Sequence, residues 1–87
     1  MPNQKHPRTL LNNLLQSIWG NDQKKHIKSE TWFTGSPSSP VWHSTIYIDD
    51  MKYGDASAAK KDVAQDEAAQ QAYDTLRREG MAGGRYY

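Results

Sequence analysis

One stretch in the carboxyl-terminal part of the chain decides the fold. Residues 53–76 read YGDASAAKKDVAQDEAAQQAYDTL. After the opening Tyr-Gly pair, the composition turns to Ala, Lys, Gln, Asp and Glu, which helices tolerate well. Small or apolar residues recur at every fourth position of its second half, at Ala64, Ala68, Ala72 and Leu76. Because such a narrow stripe lets a helix lie close to a sheet, we predict a closing helix over residues 57–79, capped by Ser57 and ended by Gly80.

The residues before this helix have the patterns of three short strands. Residues 27–34 are rich in β-branched and aromatic side chains, which favours a strand. Residues 42–49 alternate between two faces, as expected of a half-buried strand, and one face carries Trp42, Ser44, Ile46 and Ile48. Two prolines predict a loop over residues 35–40. The pair Asp49-Asp50 predicts a tight turn into a third strand over residues 51–56.

A further helix is predicted before the strands. From Arg8 to Trp19 the apolar residues recur at helical spacing, at Leu10, Leu11, Leu14, Leu15 and Ile18. Thr9 is the predicted N-cap of this helix, and Gly20 is its predicted stop signal.

The order of helix, three strands and helix predicts an α+β domain. Strands joined by short turns pair antiparallel, and an amphipathic helix buries its apolar side against a sheet. We therefore predict an α-β-β-β-α fold, with two helices packed on one face of a three-stranded antiparallel sheet. The domain is expected over residues 8–80, between a disordered lead over residues 1–7 and a flexible tail over residues 81–87.

The composition argues against several classes of protein. The chain has no cysteine, which excludes a disulfide framework, a thiolate zinc site and a thiol nucleophile. Its three histidines are scattered, so no metal site is expected. It has no Gly-rich phosphate loop, no nucleophile elbow and no apolar run that could span a membrane or act as a signal. We therefore expect an intracellular protein, cytoplasmic or nuclear, that is not an enzyme and uses no cofactor, metal, membrane or small-molecule substrate.

The charge of the chain is unevenly distributed. The net charge is +1, which is low for a protein that binds a polyanion. Residues 1–28 carry five basic groups against one acidic group, residues 29–56 carry one against four, and residues 57–87 carry five against five. Any electropositive surface must therefore be assembled from separate segments of the folded chain.

Three segments, in this order and spacing, resemble the double-stranded RNA-binding domain family. The Tyr-Gly strand and the Lys- and Ala-rich helix of residues 53–76 match its closing elements without a gap. Residues 10–16, LLNNLLQ, are similar to its first helix, and residues 35–42 are similar to its first hairpin loop and the aromatic residue that opens its second strand. The resemblance spans roughly residues 9–76. It implies a dsRBD-like fold and a non-catalytic module that recognises A-form RNA by shape, over about 16 base pairs.

The resemblance also implies three regions of RNA contact. The first helix would offer Asn13 and Gln16, whose side chains donate and accept hydrogen bonds, as contact with a 2′-hydroxyl requires. The first hairpin loop would offer Gly35, Ser36, Pro37 and Ser38. The start of the last helix would offer Lys60, Lys61 and Gln65. Ammonium groups at that point would act together with the helix dipole on phosphates.

Two of these regions depart from the family pattern. Ser38 occupies the position of a histidine with longer reach. Only Lys61 is retained among three family lysines, because Asp62 and a neutral residue occupy the other two positions. Negative charge from Asp62, Asp66 and Glu67 is expected to repel RNA. We therefore expect weaker binding than is usual in the family, and for each region an ordinary solvated surface is the alternative.

Two functions follow from these features. The first is a module that binds double-stranded RNA with little sequence preference. The alternative is a protein-interaction or dimerisation module of the same fold, with little or no RNA binding, whose partner is a second copy or another protein. The low net charge and the missing lysines favour the alternative, and the gapless resemblance favours RNA.

Overall fold

The structure, a computed structural model, describes residues 6–79. The chain forms α1 (Pro7–Trp19), a 3-10 helix (Gly20–Lys25), β1 (Ile27–Ser36), β2 (Ser39–Ile48), β3 (Met51–Ala58) and α2 (Lys61–Arg78). The strands form one antiparallel sheet in the order β1-β2-β3. The predicted α-β-β-β-α fold is therefore confirmed. Most of the predicted lead, residues 1–5, and the predicted stop and tail, residues 80–87, lie outside the described residues.

The first helix begins earlier than the sequence predicts. Its N-cap is His6 and its first residue is Pro7, so the predicted cap at Thr9 is wrong and Thr9 lies within the first turn. Proline suits this position because its fixed φ is helical and its missing N–H would have no partner there. The helix ends as predicted at Gly20, whose φ of 59° lies in the left-handed region that favours glycine.

The first hairpin turn is much shorter than the predicted loop. β1 continues to Ser36 and β2 begins at Ser39, so only Pro37 and Ser38 connect the strands. The prediction of a loop over residues 35–40 is wrong at its ends, because Pro40 pairs with Gly35 in the ladder. β3 pairs with β2 only from Trp42 onward, so no strand lies beside Pro40 on the β3 side. The N–H that proline lacks would have had no acceptor there.

The second hairpin turn is the predicted one. Asp49 and Asp50 connect Ile48 to Met51, and their φ values are 51° and 68°. Two successive residues with positive φ are typical of a type I′ turn, which matches the twist of antiparallel strands.

The second helix begins later than predicted. β3 continues to Ala58, and α2 starts at Lys61 with Lys60 as its N-cap. The predicted cap at Ser57 is wrong, because Ser57 lies in β3 and its Oγ lies 2.9 Å from Nδ1 of His43 on β2. Lys60 and Lys61 are therefore the N-cap and the first residue of α2.

Both helices pack on one face of the sheet. The buried core consists of Leu11, Leu15, Ile46, Ile48, Ala64, Ala68, Ala69, Ala72 and Leu76. The small-residue stripe of α2 is therefore buried as predicted, and it brings the helix backbone against Gly54 of β3. A Cβ atom at Gly54 would overlap the carbonyl oxygen of Ala68 and reach 3.0 Å from the nitrogen of Ala72. None of the helices in residues 6–79 is long and apolar enough to cross a membrane.

Candidate nucleic-acid interface

Trp42 connects the first hairpin to the start of α2. It lies in β2 opposite Phe33 of β1, and three residue pairs of the ladder separate it from the turn at Pro37 and Ser38. Nζ of Lys61, at the start of α2, lies 5.7 Å from the centroid of the Trp42 ring. Phe33 of β1 packs on the same indole, with ring centroids 5.2 Å apart. The hairpin and the beginning of α2 therefore form one continuous surface, which we call the hairpin end.

The hairpin end has unpaired positive charge. Of the six lysines in residues 6–79, three lie within 4.0 Å of a carboxylate: Lys25, Lys28 and Lys52. Lys24, Lys60 and Lys61 have no carboxylate within that distance among the described residues, and all three are exposed. Lys60 and Lys61 are adjacent, at the start of α2. The N-terminal end of a helix is electropositive because its first N–H groups lack partners. The two ammonium groups and the helix dipole thus add at one place.

One of the nearby acidic residues is neutralised. Oδ1 of Asp66 accepts a hydrogen bond from Nε of Arg8 on α1, at 2.7 Å, and Oδ2 lies 4.0 Å from His6. The expected repulsion of RNA by Asp66 stays a prediction, and the Arg8 guanidinium reduces the negative charge at this point. Asp62 is exposed directly after the lysines, and Glu67 is exposed less than two helical turns farther along α2. No local sequence signal identified the Arg8–Asp66 pair, because 58 residues separate its members.

Gln65 is engaged within the protein. Its Oε1 accepts a hydrogen bond from Arg8 at 3.1 Å, and its Nε2 donates to Oγ1 of Thr31 on β1 at 3.3 Å. The side chain lies at the border of a cleft of about 310 Å³ between α1, the sheet and α2. Gln65 stays a prediction as an RNA contact, and its amide keeps one donor and one acceptor site beyond these two hydrogen bonds.

The other predicted residues of the hairpin are exposed. Gly35, Ser36, Pro37 and Ser38 are all open to solvent, and the hydroxyls of Ser36 and Ser38 lie 3.3 Å apart. Gly35 has a φ of 88°, and a Cβ atom there would lie 3.1 Å from the carbonyl oxygen of Ser39. The turn therefore presents two hydroxyls on a narrow, tightly closed hairpin.

The predicted residues of α1 form the third contact region. Asn13 and Gln16 are exposed, and their spacing of three residues places them on one helix face. Oε1 of Gln16 accepts a hydrogen bond from Nε2 of Gln23 at 2.7 Å. Their role as RNA contacts stays a prediction. α1 packs on α2, and the Arg8–Asp66 ion pair also links these two helices.

The comparison with known families agrees with this geometry. The family described as the double-stranded RNA binding motif matches residues 7–76 of the 87. The chain belongs to the double-stranded RNA binding motif family. The match extends from the first residue of α1 to the last buried residue of α2. No curated protein matches the chain.

In this member of the double-stranded RNA binding motif family, polar side chains pair with one another at the end of the sheet opposite the first hairpin turn. Oδ1 of Asp49 lies 2.7 Å from Nδ1 of His26, whose ring stacks on Trp19 with centroids 4.0 Å apart. The Tyr53 hydroxyl donates to Glu79 at 2.7 Å. Partial burial, this hydrogen bond and the nearby carboxylates raise the pKa of Tyr53 to about 12. We call this region the turn end.

Sequence reasoning did not distinguish the two exposed aromatic residues of β1, Trp32 and Phe33, which lie on opposite faces of the sheet. The alternation of β1 places Thr31, which contacts α2, and Phe33 on the helix side of the sheet, and Trp32 on the outer side. Trp32 stacks on His43 with centroids 5.4 Å apart. The composition of residues 27–34 indicated a strand, but its register relative to the helices was needed to distinguish the two faces.

Proposed function

We propose that this chain binds double-stranded RNA without catalysis and reads the A-form duplex by shape. The observation that carries the proposal is the joining of the first hairpin to the lysines of α2 through Trp42. A domain of this family needs a narrow element for a minor groove and cations for the phosphates beyond it, and both lie at the hairpin end.

Each contact region is assigned a chemical task. The hydroxyls of Ser36 and Ser38 donate to and accept from 2′-hydroxyls and base edges in one minor groove. Lys60 and Lys61 neutralise phosphates and release counterions. Asn13 and Gln16 contact a second minor groove from α1. These contacts carry little sequence information, because phosphates and 2′-hydroxyls are present at every nucleotide.

We further propose that the affinity is weaker than is usual for the family. Asp62 is exposed directly after the two lysines and Glu67 is exposed farther along the same helix, and negative charges reduce the attraction to a polyanion. The Gln65 amide makes its hydrogen bonds within the protein. A serine hydroxyl at position 38 has a short reach.

The test compares three ligands of the same sequence: a duplex RNA of about 20 base pairs, the corresponding duplex DNA and one single RNA strand. Fluorescence anisotropy at low and moderate salt is expected to show binding to duplex RNA that weakens steeply with salt. Binding to the DNA and to the single strand is expected to be weaker, because both lack the A-form minor groove. Absence of binding to duplex RNA at low salt would contradict the proposal.

The alternative function is a protein-interaction module. The observation that favours it is the outer face of the sheet, where Trp32 and Val41 are 44% and 42% exposed. Exposed apolar groups of this kind are typical of interaction surfaces when they are contiguous. A dimer in analytical ultracentrifugation, together with no binding to duplex RNA, would favour this function over RNA binding.

A further inference from the structure

We propose that the hairpin end also holds a stacking site for an unpaired base, so that this protein prefers duplex RNA interrupted by a bulge. The site consists of Phe33 and Trp42, with Lys61 beside them. The inference rests on the proposed function, because the surrounding duplex supplies most of the binding.

The first observation is the exposure of Phe33. Its side chain is 49% exposed although it points to the same side of the sheet as the two helices. The indole of Trp42 packs on it at 5.2 Å with an interplanar angle of 47°, and Trp42 itself is half-buried. Trp42 thus contacts one side of the Phe33 ring, and about half of the Phe33 side chain stays open to solvent.

The second observation is the charge beside these rings. Nζ of Lys61 lies 5.7 Å from the Trp42 centroid, and Lys60 precedes it. An ammonium group next to an aromatic surface suits a nucleotide, which brings a ring and a phosphate together. An apolar peptide segment would leave both ammonium groups without a partner. The charge therefore favours a nucleotide as the occupant.

The base must be unpaired for a physical reason. In a continuous duplex each base is stacked between its neighbours, so no ring face is open to a protein. A bulged base is already unpaired, and little free energy is needed to turn it outward. Aromatic residues stack on any of the four bases, so this preference concerns the shape of the RNA and not its sequence.

The experiment compares a perfect 20-base-pair RNA duplex with the same duplex carrying one unpaired uridine at its centre. We expect the bulged duplex to bind at least about fivefold more tightly, which is the lower limit for stacking of one base on an aromatic residue. Because the bulge selects one register, the protected region in hydroxyl-radical footprinting is expected to become sharp on the bulged duplex and to stay diffuse on the perfect one.

Two variants test whether Phe33 is responsible. Phe33→Leu keeps an apolar side chain in β1 and is expected to bring the ratio of the affinities for the bulged and the perfect duplex close to one. Trp32→Leu is the matched control, because Trp32 is similarly exposed on the opposite face of the sheet, and it is expected to keep the preference. With 2-aminopurine in place of the uridine, a change in its fluorescence on binding is expected for the unchanged protein and not for Phe33→Leu.

The outcomes separate this inference from the proposed function. Equal affinity for both duplexes would overturn the stacking site and leave duplex binding intact. A bulge preference that survives in Phe33→Leu would also overturn it, because another part of the protein would then be the cause. Failure to bind either duplex would overturn both proposals.

Discussion

The two ends of the sheet differ in how their polar groups are paired. At the turn end, His26 lies 2.7 Å from Asp49, and the Tyr53 hydroxyl donates to Glu79 at the same distance. At the hairpin end, Lys60 and Lys61 have no carboxylate within 4.0 Å among residues 6–79. The same fold thus has one end at which polar side chains pair with one another and one end at which two lysines have no carboxylate partner among residues 6–79.

This difference indicates at which end contact with RNA contributes most to the free energy of binding. A charge that already has a partner must give it up before it can bind RNA, so the gain is small. An unpaired ammonium group at a helix N-terminus gains a partner and releases counterions when a phosphate arrives. The net charge of +1 does not reveal this, because it averages over both ends.

The largest expected effect concerns the contact between helix and sheet on which both ends depend. Gly54→Ala places a Cβ atom against the carbonyl oxygen of Ala68, which cannot move without shifting the backbone of α2. We expect the free energy of unfolding in urea to fall by about 3 kcal/mol. Gly20→Ala is the comparison, since no atom lies within 4 Å of its added Cβ, although its positive φ makes some loss expected there too. A Gly54→Ala variant as stable as the unchanged protein would contradict the close packing.

The next effect tests the unpaired charge of the hairpin end. Lys60→Ala/Lys61→Ala is expected to weaken binding to duplex RNA about tenfold or more, and to reduce the salt slope of log K by up to about 1.8, which is 0.9 for each lost phosphate contact. The matched control is Lys28→Ala/Lys52→Ala, which removes the same two charges where they are ion-paired. Equal losses in both variants would show that only net charge matters.

A smaller effect tests the pairing at the turn end. The folded-state pKa of Tyr53 is about 12, above the usual 10, so the folded protein holds this proton more tightly than the unfolded chain. The resulting stability is fully present below pH 10 and is lost as the pH rises from 10 to 12. Tyr53→Phe is expected to lower stability by about 1 kcal/mol at neutral pH and to remove this contribution to the alkaline loss. Urea unfolding at pH 7 and between pH 10 and 11.5 measures both effects, and an unchanged alkaline slope in the variant would contradict the assignment.

The smallest expected effect comes from removing the negative charge of Asp66, which would make the hairpin end more positive. Asp66→Asn removes a negative charge near the lysines and frees Arg8, whose Nε donates to that carboxylate at 2.7 Å. We expect duplex RNA to bind about threefold more tightly, as suits the modest energy of an exposed ion pair. Asp74→Asn makes the same change of charge farther along α2 and is expected to have no effect. Weaker binding by Asp66→Asn would mean that the ion pair is needed to position α2.

The candidate site was predictable only in its parts. Helical spacing, strand alternation and the turn residues Asp49-Asp50 indicated the elements, because these patterns depend on neighbours within one or two turns. The caps at Thr9 and Ser57 were predicted wrongly. Proline at position 7 started α1 earlier, and pairing with β2 extended β3 beyond the point where helix propensity favoured α2.

The sequence by itself determined the order of elements, the small-residue stripe of α2 and the residue types available for RNA. The tertiary structure decided which of them are free to bind it. Arg8 neutralises Asp66 across 58 residues, Trp42 places Lys61 beside the hairpin, and the register of β1 exposes Phe33 on the helix side. The physical reason is that electrostatic and packing contacts depend on distance in space. No spacing along the chain encodes that distance when the partners lie on different elements.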